Sequence, residues 1–224
     1  GGSRYSAVVE TVGEGHERST YRLRGLATAL SWLLGVGIAL SVVSAFALIH
    51  RGQMIGDLRD DRYSHSDSEI DTADTLVATT SWLGLLLYAA VLVMLIVWAW
   101  RATKNLQGWG VELERGPGWA IGGWFVPIGN LFIPYQVVRE TWMLAPSPVS
   151  SLPQQRNGPW FAAWIMWLIS GALGARSMFS WSDDDLRMMQ ASDYLAGVSE
   201  IIWIAAAVAL IVAVRQISDR HDRR

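Results

Sequence analysis

The chain has 224 residues, 51% hydrophobic and only 17% charged, with 13 tryptophans and a positive mean hydropathy. That balance sets it with polytopic membrane proteins rather than soluble domains. The absence of cysteine removes disulfides, thiol catalysis and cysteine-metal sites, while a net charge of -2 conceals a segregation of sign along the chain.

Gly1-Gly2-Ser3 reads as a cloning remnant and is left out of the fold. Residues 4–24 are too charged for the apolar core of a signal peptide, so the first hydrophobic run is expected in the mature protein. A transmembrane helix needs about 20 predominantly apolar residues. Four stretches qualify: 25–49, 76–100, 160–181 and 195–214. Ser66 and Glu69 have the spacing of a capping box that would start the second helix ahead of its apolar run, and Ser182 with Asp185 repeats the device before the fourth. The expected fold is an all-α integral membrane four-helix bundle over 25–214, preceded by a cytoplasmic segment at 1–24 and followed by a basic tail at 215–224.

Lys and Arg are retained on the cytoplasmic side, so charge predicts orientation. Arg4, Arg18, Arg22 and Arg24 precede the first run, Arg101, Lys104 and Arg115 follow the second, and Arg215, Arg220, Arg223 and Arg224 follow the fourth. These regions are predicted cytoplasmic. The acidic loops, 51–74 and 182–194, then face outward. Trp98, Trp100 and Trp160 are expected as headgroup anchors at inner ends, and Trp82, Trp181 and Trp203 near outer ends.

Between the second and third runs lies an irregular apolar segment, 119–142, "WAIGGWFVPIGNLFIPYQVVRETW". Residues Trp119 to Val126 would form a helix of about 12 Å. Pro127 would end it, Gly129 and Asn130 suit a turn, and Pro134 is placed to open a returning helix through Tyr135, Arg139 and Glu140. A full crossing would put the basic tail outside and the Asp183–Asp185 cluster inside, so the charges disfavour it. A re-entrant hairpin and a hairpin lying flat in the interface both remain open.

The stretches "WRATKNLQGWG" (100–110) and "GPGWAIGGWFVPIGNLFIPYQVVRETW" (116–142), with "LRGLATALSWLL" at the first run, resemble a bacterial, mostly actinobacterial, membrane family known as domain of unknown function 4328. Its most specific part is the spacing from Trp124 through Pro127, Asn130 and Pro134 to Tyr135. Ile133 stands where members often carry Arg, so no charge contact is expected there. The resemblance implies a multi-pass protein of the bacterial plasma membrane and no reaction.

Among polar groups, Glu140 is expected to pair with Arg101 or Lys104, near Asn105, and so pin the hairpin to the bundle. The functional alternative is a polar vestibule built from Asn130, Glu140 and exposed turn backbone. Trp124, Pro127, Pro134, Tyr135 and Arg139 complete that candidate pore or partner site. Arg176 and Glu200 are expected to form a salt bridge near the outer ends of the third and fourth helices. Small residues form close-approach stripes at Ala27, Ser31 and Gly35, at Gly37, Ser41 and Ala45, at Gly171 and Ala175, and at Ala205, Ala209 and Ala213. One stripe of the first helix is a candidate homo-oligomer contact.

No zinc-protease motif, paired intramembrane aspartates or phosphate loop occurs, and Ser170 has no buried histidine to activate it, so no enzyme, cofactor or metal is expected. His50, His65 and the neighbouring aspartates match no calcium loop. The tail "RQISDRHDRR" suits anionic lipid better than nucleic acid. Two functions follow: a non-enzymatic scaffold that binds membrane lipids and an unknown membrane partner, or a small homo-oligomeric channel or transporter using the hairpin.

Overall fold

The computed structural model describes residues 21–145, 158–178 and 185–223. Those residues form α1 (Arg24–Asp60), α2 (Asp67–Gly108), α3 (Pro117–Gly122), a 3-10 turn (Gly129–Leu131), α4 (Ile133–Leu144), α5 (Pro159–Met178) and α6 (Leu186–Asp222). Helices α1, α2, α5 and α6 are each long and apolar enough to cross a membrane.

Three long helices outrun the runs that announced them. Helices α1, α2 and α6 have 37, 42 and 37 residues, roughly 55–63 Å at the helical rise, against a hydrocarbon core of about 30 Å. Most of the segment expected as a loop at 51–74 is therefore helix, and the α1–α2 connection shrinks to residues 61–66. Hydropathy marks where lipid-compatible side chains stop, not where backbone hydrogen bonding stops. No proline interrupts these helices, because all seven lie between 117 and 159.

Local signals set the ends. The Glu69 carboxylate accepts from the Ser66 N–H at 2.8 Å, completing the expected capping box. Helix α2 ends where Gly110 takes φ 78°, with its N–H on the Gln107 carbonyl and that of Val111 on Leu106, a Schellman closure that needs a residue without a Cβ penalty. Asp185 is itself the N-cap of α6, accepting from the Arg187 N–H at 2.9 Å; its expected partner Ser182 lies outside the described residues.

The long helices form an arc in the order α2, α1, α6, α5. Helix α1 packs against both α2 and α6, and α6 against α5, whereas α2 and α5 make at most marginal contact. The stripe of Gly37, Ser41 and Ala45 is buried within the α1–α6 contact, where a Cβ on Gly37 would come within 2.6 Å of the Trp203 ring. Gly35 faces open space, as does Gly171, so neither makes the close approach expected of it. Four-residue spacing identifies stripes, but the packing of α6 decides which one is used.

The apolar core is concentrated at the end of the arc that carries α3 and α4, around Leu23, Leu30, Trp98, Val137, Trp164 and Ile217; the far end has only a small cluster of Ala47, Leu48 and Val77. Trp98 is fully buried with its indole N–H on Ser218 Oγ at 2.9 Å, Trp160 is buried as well, and half-buried Trp203 lays its ring on Gly37, so these three pack between helices. Trp82 is 68% exposed, and Trp181 lies outside the described residues. Polar ties finish each end. The Asp222 carboxylate accepts from the N–H groups of Leu23 and Arg24 at 3.1 and 3.0 Å, capping α1 from the last turn of α6. At the far end Arg51 donates two bonds to buried Asp193, at 2.8 and 2.6 Å, and a third to Asp74 at 3.1 Å.

Candidate functional site

The hairpin bridges the open side of the arc. Helix α3 rests on α2, and α4 contacts both α2 and α5. Helix α3 begins at Pro117 and stops at Gly122, short of the predicted end at Val126. The cause is the Gly122-Gly123 pair: a Cβ on Gly123 would meet the Ile133 side chain and lie 2.7 Å from the Trp119 carbonyl, so the two arms touch there. Pro127 lies in the turn beyond, and Pro134 sits in the first turn of α4 as expected. The left-handed residue is Ile128 (φ 64°) rather than Gly129. A β-branched residue there carries strain of about 1–3 kcal/mol. Gly129 is required instead by space, since its Cβ would lie 2.8 Å from Val126 and 2.9 Å from Ile133.

Turn backbone that a pore would direct at a permeant species is bonded internally. The N–H groups of Gly129, Asn130, Leu131 and Phe132 donate to Pro127, Val126, Ile128 and Gly129. The Leu131 carbonyl accepts from the Trp164 indole N–H at 3.0 Å, and the Tyr135 carbonyl from that of Trp160 at 3.1 Å. Trp124 stands edge-on to Trp164 and Trp167, while Tyr135 packs on Phe161 and Trp164. Indole donors from α5 thus fasten the turn and the first turn of α4 by their backbone carbonyls. At the tip, Phe125 and Ile128 are each 75% exposed, and Phe132 and Pro127 are exposed beside them.

The polar network differs from the expected one. The Glu140 carboxylate accepts from the backbone N–H groups of Glu114 (2.6 Å) and Arg115 (3.4 Å), not from Arg101 or Lys104. The α2–α3 connection reaches the carboxylate first and supplies donors that cost no side-chain entropy. Arg101 lies over the Tyr21 ring at 5.6 Å, and Lys104 reaches Gln107 at 3.4 Å. Asn105 is buried and exchanges two 2.8 Å bonds with the Tyr21 backbone, fastening the segment before α1. Asn130 and Arg139 are half-buried, with no side-chain hydrogen bond or ion pair among the described residues. Arg220 covers the Trp142 ring at 4.2 Å, joining α4 to α6. Beside it, His221 is buried against Trp109, and burial lowers its pKa.

The expected Arg176–Glu200 bridge does not form. Ser170 pairs with Ser199 across the α5–α6 contact, and Ser192 donates to the Ser177 carbonyl, which fixes the antiparallel register. In that register positions 176 and 200 are offset by about two turns, roughly 10 Å. Glu200 meets Ser44 Oγ instead, at 3.4 Å.

Above the hairpin, the gap between α2 and α5 has two compartments. Next to Trp124, Trp164 and Trp167 is a small apolar cavity of about 60 Å³. Beyond Tyr88 and Trp203, which border both spaces, a wider crevice of about 390 Å³ carries Glu200 and hydroxyl side chains from all four long helices. Sequence reading missed this grouping. Its signal is the recurrence of Ser and Thr within otherwise apolar runs, which acquires meaning only with the helix register.

A protein-family model described as Domain of unknown function (DUF4328) matches residues 61–219. The chain belongs to this family. The match includes the hairpin and α2, α5 and α6, so the elements just described, apart from α1, are elements of the family domain. No curated protein and no solved structure matches the chain.

Proposed function

We propose that this family member is a non-enzymatic membrane scaffold in the bacterial plasma membrane, with both termini cytoplasmic and the hairpin acting as a structural plug beside which a membrane partner docks. One observation carries the reading: the one carboxylate of the hairpin that could serve a gate, Glu140, is held on backbone amides, and the turn carbonyl of Leu131 is held on an indole. The apolar tip supports a shallow dip from the cytoplasmic side, because contacts from Tyr135 with Trp160 to Trp124 with Trp167 climb about two turns of α5, roughly 10 Å.

The experiment is ion flux into sealed liposomes holding the purified chain. A scaffold leaves permeability at the level of empty liposomes. Flux above that level that changes in Asn130→Ala or Glu140→Gln would establish the competing reading, a channel built on the hairpin. Orientation is checked separately, since the chain has no cysteine. Tyr63→Cys and Met188→Cys should react with an impermeant thiol reagent on intact cells, and Glu112→Cys and Arg223→Cys only after lysis. Labelling of the second pair on intact cells overturns the topology.

A further inference from the structure

Glu200 is a carboxylate within the apolar run of α6, and the hairpin has no use for it. Its hydrogen bond from Ser44 is long, at 3.4 Å, and among the described residues it makes no ion pair and no Lys, Arg or His lines the crevice around it. An ionisable group at such depth is costly and is normally compensated by a partner. The remaining lining narrows what that partner is. Thr80 and Ser81 donate their hydroxyl protons to backbone carbonyls on α2, leaving oxygen lone pairs as acceptors, and the buried Ser41 hydroxyl makes no hydrogen bond among the described residues. One carboxylate with acceptor oxygens and no cationic donor selects a cation over an anion.

Size and walls narrow it further. The crevice, about 390 Å³, falls in the range of small-molecule sites and far exceeds a bare ion. The aromatic rings of Tyr88 and Trp203 border its base, surfaces that attract ammonium groups and apolar carbon together. Below them the space shrinks to the apolar cavity next to Trp124, which offers a charged group no polar partner and bars its passage toward the hairpin. We propose that the crevice between α2 and α5 binds an organic ammonium ion, its charged head against Glu200 and its apolar body along Tyr88 and Trp203. The site holds its ligand without conducting it, and its existence does not depend on the scaffold reading.

The test uses the full chain in dodecyl maltoside micelles, which carry no amine, with benzyltrimethylammonium as a probe of permanent charge in equilibrium dialysis. Saturable binding is expected, about tenfold weaker in Glu200→Gln and about threefold weaker in Ser41→Ala, the scale of removing one charged and one neutral polar group from a binding site. Gly84 lines the crevice, and a Cβ there meets no atom within 4 Å, so Gly84→Leu should fill the site without a clash and abolish binding while the thermal melt stays at the wild-type value. Binding no greater than to protein-free micelles, or unchanged in Glu200→Gln, overturns the proposal. Should Glu200→Gln fail to fold, Gly84→Leu decides, and undiminished binding in it is fatal. Adding phosphatidylethanolamine distinguishes the sources of the shared chemistry: displacement of the probe identifies a lipid headgroup as occupant, and retention identifies a soluble amine, either result supporting the site. Liposome flux is read independently, so failure here leaves the hairpin reading standing.

Discussion

Two glutamates in one bundle meet opposite treatment. At the hairpin end, Glu140 is met by two backbone N–H donors, from Glu114 and Arg115. At the other end of the gap between α2 and α5, Glu200 has one long hydroxyl contact and open volume in front of it. The first carboxylate holds the fold together; the second is held in place by a fold that would stand without it. Partner groups, not depth or residue type, separate a structural charge from an available one.

Four measurements by thermal unfolding of the purified protein would break or sharpen this contrast. The largest effect is expected where the far end is tied. Asp193→Ala strips both strong bonds from Arg51, whose side chain is only 14% exposed, and should cost about 3 kcal/mol, against about 0.5 kcal/mol for exposed Asp74→Ala. Equal losses would show that the buried pair is not what holds that end. Next, Trp164→Leu removes the donor to Leu131 and ring contacts with Trp124, Tyr135, Trp160 and Trp167, for a loss of about 2–3 kcal/mol. Hydrogen exchange should then quicken at residues 129–132 and stay unchanged near Arg51.

The direct comparison is smaller. Glu140→Gln should cost about 1 kcal/mol and Glu200→Gln less than about 0.5 kcal/mol; the reverse order would assign the structural role to the wrong carboxylate. The smallest effect concerns pH. Burial lowers the His221 pKa, with the hydrogen bond to the Ile217 carbonyl and then neighbouring Asp222 acting in the opposite sense. The stability contributed by the neutral ring is complete above the unfolded-state value of about 6.5 and declines as pH falls below it, because the unfolded chain takes up a proton that the folded one refuses. Between about pH 7.5 and 6 the melting temperature should fall in the wild type and stay flatter in His221→Gln.

What the sequence determined by itself is local. Apolar runs longer than a bilayer crossing required four long helices, the Ser66-Glu69 spacing required a helix start, and Pro134 required a helix to open at the second arm of the hairpin. Each depends on residues within a turn or two of one another, or on one continuous apolar run. Which groups meet was not legible: Glu140 with the amides of Glu114 and Arg115, Asn105 with Tyr21, Asp222 with the first turn of α1, Arg51 with Asp193, and Glu200 with a crevice instead of Arg176. These pairs are separated by up to 199 positions in sequence, and sliding one helix past another by a single turn, about 5.4 Å, would exchange every one that it carries. That register comes from the packing of bulky against small, Trp203 on Gly37 and Tyr194 on Gly52, and from the reciprocal Ser170–Ser199 bonds. Such contacts exist only once the helices have met.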